Sequence, residues 1–178
     1  MKKSLILLAI AGIIASCNNK PAEPATEVKE VVPEAAPAVS YPYTATYSSD
    51  FKIGDPALTK VVLDMYKNLE GNTVDSVGQF LADSVVRYNF SQKMITLSRE
   101  DMVKVIKGFR SQFKEFSETP LAFVSLHSND KNEDWVLTWI KERVTYQNGK
   151  MDSTTYQENW RFKDGKIYMV DSYAKFAK

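Results

Sequence analysis

The 178-residue sequence holds one cysteine and one histidine, and that scarcity removes several chemistries at once. Cys17 has no partner within the chain, so no internal disulfide can form and the fold must be held by its core. One thiol and one imidazole cannot supply the three or four nitrogen and sulfur ligands of a zinc or copper centre. His127, lacking a companion for a triad or a metal, reads as structural or solvated. Glycine is sparse too, with seven residues and no nucleotide-binding motif among them, and no cofactor is expected. Neither sign of charge is in excess: 23 Lys and Arg stand against 22 Asp and Glu. A chain so balanced lacks the basic stripe that nucleic acid requires. No apolar run is long enough to span a bilayer as a helix.

What is present begins with an address. Lys2 and Lys3 precede a short apolar run, Leu5 to Ala15, and the run leads into Ile14-Ala15-Ser16-Cys17. This arrangement resembles a bacterial lipoprotein signal peptide with its lipobox. The resemblance implies that residues 1–16 are removed, that the lipid on Cys17 ties the chain to a membrane of the cell envelope, and that Asn18 directs it to the outer membrane. From Asn18 to about Ser40 the chain is Pro, Ala, Glu and Val, with Pro21, Pro24, Pro33 and Pro37 spaced so that neither helix nor strand runs through. In extended form such a tether reaches roughly 60–70 Å. Three segments result: a signal peptide over 1–16, a lipidated tether over 17–45 and a domain over 46–178. Tyr41, Tyr43, Tyr47 and Phe51 suggest a stretch that packs onto that domain.

Within the domain, Asp55-Pro56 joins an N-cap residue to a first-turn proline, and Leu58, Val61, Val62, Met65, Tyr66 and Leu69 keep helical spacing until Gly71. A shorter helix from Asn72 or Thr73 carries Val74, Val77, Phe80 and Leu81, and a strand follows through Val85 to Phe90. Ser98-Arg99-Glu100-Asp101 resembles a capping box and opens a third helix with Met102, Val103, Ile106, Phe109 and Phe113 on one face. After Pro120 another strand spans Leu121 to His127. Trp135 to Phe176 then reads as a three-stranded meander, because Asn148-Gly149 and Asp164-Gly165 are the pairs that tight hairpin turns require. Helices against one side of a mostly antiparallel sheet make an α+β fold.

If both hairpin loops have two residues, Gln147 faces Lys150 and Lys163 faces Lys166, which fixes every other pair. One face then gathers Trp135, Leu137, Trp139, Lys141 and Arg143, then Tyr156, Glu158, Trp160 and Phe162, then Ile167, Met169, Asp171 and Tyr173. It must be covered, since each large apolar side chain left in water forfeits roughly 1.5–3 kcal/mol. On the opposite face Val136, Ile140, Val144, Tyr168, Val170 and Phe176 form an apolar stripe, which predicts a homodimer through the sheet. Glu158 and Asp171 face each other in this register beside Trp139, Trp160 and Met169. Like charges so placed predict at least one raised pKa, while Lys141, diagonal to Glu158, offers a salt bridge instead.

The order of elements, together with Phe80-Leu81-Ala82-Asp83-Ser84-Val85-Val86 and Asn159-Trp160-Arg161-Phe162-Lys163-Asp164-Gly165-Lys166-Ile167, resembles the nuclear transport factor 2-like superfamily over about residues 52–178. That resemblance implies a cone, in which a curved antiparallel sheet wraps about three N-terminal helices and leaves a cavity between. The ketosteroid isomerases of this superfamily imply roles for three positions: Tyr66 as oxyanion-hole tyrosine, Glu158 as protonated acid, and Asn89 where the general base belongs. An amide accepts no proton near neutral pH, so the isomerase reaction lacks its base unless Asp171 replaces it. The favoured expectation is a non-catalytic domain that binds a small, partly apolar molecule through Tyr66, Trp139, Tyr156, Glu158, Trp160, Met169 and Asp171, with Tyr66 and Tyr156 as donors. Two alternatives stand beside it. One is a SnoaL-like or isomerase-like enzyme using Asp171 and Glu158, and the other is a homodimeric scaffold whose cavity is merely filled core.

Overall fold

Asp55 caps the first helix as its place beside Pro56 predicts, its carboxylate accepting from the Ala57 N–H at 2.8 Å. The computed structural model describes residues 40–88 and 93–176. Cys17, the signal peptide, most of the tether and Asn89 lie outside the described residues. The chain divides into Met1–Ser40 and Tyr41–Lys178, and the elements below belong to the second unit. Helix α1 (Pro56–Glu70) buries Leu58, Val62, Met65 and Tyr66. A 3-10 helix, Val74–Phe80, stands where a second α-helix was expected. Helix α2 (Arg99–Arg110) opens on Ser98, whose hydroxyl accepts from the Asp101 N–H at 3.1 Å.

Seven strands follow the chain: β1 (Phe51–Ile53), β2 (Leu81–Tyr88), β3 (Met94–Ser98), β4 (Phe113–Ser128), β5 (Glu133–Tyr146), β6 (Met151–Lys163) and β7 (Lys166–Phe176). They form one sheet in the order β1-β4-β5-β6-β7-β2-β3, antiparallel throughout except where β2 runs parallel to β7. The α+β architecture is as the sequence predicts, with two short edge strands, β1 and β3, added to it. Phe113, which helical spacing placed on α2, starts β4 instead. That strand runs on through Pro120, with a bulge before Ala122. β1 pairs only with Leu126–Ser128, so Pro120 lies where no strand of the described residues flanks β4 on that side, and its missing N–H costs no ladder bond there.

Two single-residue shifts in register rearrange the faces. Asp164 and Gly165, at φ 50° and 71°, form the expected two-residue turn with Lys163 opposite Lys166. The other loop is longer by one. The Tyr146 N–H donates to the Lys150 carbonyl at 2.8 Å, and Gly149 takes φ 84°, so Gln147, Asn148 and Gly149 all lie in the loop. Trp160 therefore faces Val136 and not Leu137, and Glu158 faces Thr138. A second shift falls between the pairs Phe162–Ile167 and Arg161–Met169, where Tyr168 is the extra residue. Because side chains alternate with period two, each shift sends everything beyond it to the other side.

The consequences are corrections to three expectations. Trp135, Trp139, Lys141, Met169 and Asp171 share no face with Glu158 and Trp160; they occupy the opposite side, where Trp139 is 36% exposed. Val136, Ile140 and Val144, read above as an outer stripe, are core residues at 0%, 1% and 6% exposure. The first two pack with Val62, Met65, Tyr66, Val77, Leu81, Trp160 and Phe162, and Val144 packs with Phe113 and Phe116. The homodimer loses the stripe that motivated it. Third, Asp171 stands opposite Asn159, so it makes no pair with Glu158.

Tyr47 and Phe51 pack edge-on against Trp135, at ring distances of 5.1 and 6.4 Å. Arg161 lies over the Trp135 ring at 4.2 Å. Tyr41 and Tyr43 stay exposed. Thus the aromatic stretch before the domain is split: its second half covers the convex side of the sheet at one end, and its first half does not.

Candidate functional site

Helices α1 and α2 do not fill the space over the sheet, and a cavity of about 960 Å³ remains. Its apolar wall comes from Met65 and Leu69 of α1, Leu81 and Val85 of β2, Met102, Ile106 and Phe109 of α2, and Trp160 and Ile167 of the sheet. Open space of this size replaces the filled core of the scaffold alternative. Polar groups reach the wall from α1, β2, β4, β5, β6 and β7, and from Gln112 between α2 and β4.

One polar cluster centres on Glu158. The Tyr66 hydroxyl donates to its Oε2 at 2.5 Å, and the Ser172 hydroxyl donates to Oε1 at 3.0 Å. Thr138 Oγ1 lies 2.9 Å from the Tyr66 oxygen and accepts from Trp160 Nε1 at 3.3 Å. With the single Tyr66 proton given to Glu158, the Thr138 proton is the one that points back to Tyr66. A relay from Trp160 through Thr138 and Tyr66 to Glu158 results. Burial raises the Glu158 pKa above the ordinary carboxylate range, although the Tyr66 and Ser172 hydroxyls that donate to it, with Thr138 and Trp160 close by, pull the other way. Tyr66 is raised by burial and then by the neighbouring Glu158, so its phenol keeps its proton.

A second cluster was not foreseen. Glu118 of β4 and Glu142 of β5 are direct cross-strand partners, and both line the cavity. Burial, then the charges of Glu142, Glu158 and Glu70, push Glu118 up to about 9. Its Oε2 is buried without a hydrogen-bond partner. Glu142 is pushed up to about 7 by burial and by Glu158, against a hydrogen bond from Tyr156. Tyr156 itself is raised to about 12, first by burial and then by Glu142.

Of the residues expected to form the site, Tyr66, Tyr156, Glu158 and Trp160 are brought together on the cavity wall. Trp139 and Met169 are not among its lining residues, for the register reasons given above. Asp171 borders the cavity, yet its carboxylate turns to Arg161, with 3.6 Å between Oδ2 and Nη2. Burial raises its pKa and the guanidinium opposes this. His127 is taken up by Asp134, Nδ1 to Oδ1 at 2.7 Å, away from the cavity lining. Among the described residues no group of His, Cys, Asp and Glu is arranged to hold a metal ion.

A strand that starts at Leu121 leaves out Glu118, because β4 begins eight residues earlier, at Phe113. The alternation Phe116-x-Glu118 before Pro120 was the available signal. A two-residue loop at Asn148-Gly149 would put Glu142 on the face away from Glu158, and the longer loop puts the two on the same face. The set containing Trp135 and Trp139 ends in Lys141 and Arg143, whereas the alternate set reads Val136, Thr138, Ile140, Glu142, Val144. The second set is the better core, and that contrast could have decided the face.

No protein-family model matches the sequence, and comparison with curated proteins finds none that is significantly similar. Solved structures do match. AusH from Aspergillus nidulans aligns with a TM-score of 0.55 at 16% identity, over 71% of this chain and 89% of that one. An LEH-like epoxide hydrolase from M. tuberculosis gives 0.54 at 14% identity, over 66% and 82%. A SnoaL-like polyketide cyclase from Agrobacterium tumefaciens gives 0.54 at 14% identity, over 66% and 91%. At such identities the likeness speaks to architecture alone. The helices, the curved sheet and the cavity between them are those of the nuclear transport factor 2-like cone fold.

Proposed function

We propose that this chain is a lipid-anchored domain of the cell envelope, held at the outer membrane through Cys17, that binds a small, partly apolar molecule in its cone without transforming it. The cavity carries this reading: about 960 Å³ of largely apolar space with polar groups on its wall is the form of a small-molecule site. Binding is favoured over catalysis because the general-base position that the isomerase resemblance would use is an amide, Asn89, and Glu158, with both oxygens already held by Tyr66 and Ser172, is no free substitute for it. The lipobox and the proline-rich tether support the address.

A second reading, acid–base catalysis, has its own observation. Glu142 near 7 is matched to proton transfer at neutral pH, and two of the similar structures bear the names of enzymes. In that case Glu142 takes the role first assigned to Asp171.

Nile red, an uncharged apolar dye, tests the binding reading. One dye per chain should bind with a blue-shifted emission, and Ile106→Trp, which fills the cavity from α2, should abolish binding while leaving the circular dichroism unchanged. Binding that survives the filled cavity would place the dye elsewhere and sink the reading.

A further inference from the structure

Three glutamates, Glu118, Glu142 and Glu158, stand on the cavity wall among uncharged polar groups, Asp171 and one arginine, Arg87. Glu118 and Glu142 stand opposite each other on β4 and β5, and the side chains whose charges act on Glu118 are Glu142, Glu158 and Glu70. Glu70, which accepts the Glu118 N–H at 2.8 Å, is ion-paired with Lys67 at 2.6 Å, but no cation is among the charges acting on Glu118 or Glu142. The buried Arg110 donates to the carbonyls of Leu69 and Phe113 at 2.8 Å each and lies over the Phe116 ring. Arg87 of β2 borders the cavity, with its Nε given to the Tyr88 carbonyl at 3.2 Å, and it is not among the charges acting on Glu118 or Glu142. From α2 the groups that face the cavity are uncharged, and α1 contributes Tyr66. The carboxylate oxygen Glu118 Oε2 is buried with nothing to accept from. Protein interiors rarely leave such an acceptor unfilled.

We propose that the ligand is a cation: a primary or secondary ammonium group on an apolar body, its charge lodged between Glu118 and Glu142 with Glu158 behind them. This rests on the cavity being the binding site. An ammonium offers up to three donors and no acceptor, which suits a wall of acceptors. It also supplies the one charge the site lacks. Tyr156 and Trp160 line the same wall, and aromatic rings attract a desolvated cation. An anion meets the opposite conditions and is excluded unless the acids all carry protons. A neutral hydroxyl satisfies one or two acceptors and leaves the acids protonated. An ammonium instead displaces protons from them, so its binding releases protons to solvent.

Three isosteric probes separate these cases: 1-naphthylmethylamine, 1-naphthylmethanol and 1-naphthoate, each titrated calorimetrically into the full chain and each competed against Nile red. The amine should bind at least about tenfold tighter than the alcohol, a difference one charge-assisted hydrogen bond supplies, with the carboxylate weakest. In buffers of different ionisation enthalpy near pH 7.5 the amine should release protons and the alcohol none. Glu118→Gln and Glu142→Gln should each weaken the amine by about tenfold and the alcohol by less than about twofold. Both substitutions remove repulsion between buried acids, so they should fold; the proton release of the unaltered protein needs neither. Alcohol binding as tight as amine binding, or amine binding without proton release, overturns the cation and leaves the cavity reading standing. If none of the three displaces the dye, the cation falls regardless; if the dye itself fails to bind, the cavity reading falls with it.

Discussion

Tyr66 and Glu158, 92 residues apart in the chain, meet at 2.5 Å across the cavity, and the phenol gives its proton to the acid. The contact joins α1 to β6 and holds the helix over the sheet beside Trp160, whose ring lies 6.1 Å from that of Tyr66. Tyr66→Phe keeps the ring and removes the donor. It leaves Glu158 with one partner fewer and should cost about 1–3 kcal/mol of stability, read from urea unfolding. An unchanged midpoint would mean that the relay from Trp160 to Glu158 contributes nothing.

Stability should fall as pH rises from acid to alkaline. Glu118 is held at about 9, Glu142 at about 7, and Glu158 also above its ordinary value of 4.5. Between the unfolded and folded values the native state binds more protons than the unfolded one, so this contribution is fully present below about 4.5 and is lost as pH climbs through 7 and then 9. Glu133 acts in another window. Burial pushes it up, but hydrogen bonds from Tyr168, Tyr47 and Trp135 more than offset this, so its contribution is lost only as pH falls below the ordinary carboxylate range. Urea unfolding should therefore show the protein less stable at pH 9 than at pH 5.5, by at least about 1–2 kcal/mol, since one pKa unit is worth about 1.4 kcal/mol. Glu118→Gln should flatten the profile.

The buried ion pair of the opposite face has a different expectation. Arg161 stacks on Trp135 and is the cation beside Asp171, which is 7% exposed with one oxygen unpartnered. Arg161→Ala should destabilise the fold by about 3–5 kcal/mol, because it strands a buried charge. Asp171→Asn in the same chain should restore part of that loss. Equal stability of the single and double variants would show that the two residues do not act as a pair.

The elements were legible where local chemistry decides them. Asp55-Pro56, Ser98 and Asp164-Gly165 each impose a cap or turn, and each does so in the structure. The site was half legible. Tyr66, Tyr156, Glu158 and Trp160 arrive on the cavity wall, three of them from one strand where alternation alone groups them. What failed was the joining of strands. Asn148-Gly149 suits a two-residue or a three-residue loop equally well by composition, and Tyr168 carries no mark of a bulge. Each adds one residue, and that sufficed to exchange Trp139, Met169 and Asp171 for Thr138, Val170 and Ser172.

The proposed address has its own test. Cys17→Ser should move the protein from the membrane fraction to a soluble or uncleaved form, and metabolic labelling with a fatty acid should disappear with it. Unchanged fractionation would contradict lipid attachment at this residue.

Native mass spectrometry of the protein purified from its own host tests the central claim most directly. The account predicts a population heavier than the polypeptide by one small molecule, released on mild activation and carrying an amine, and lost in Glu118→Gln with Glu142→Gln. A mass equal to the polypeptide alone, with or without attached lipid, from gentle extraction and at every activation energy, would contradict a ligand held in the cavity.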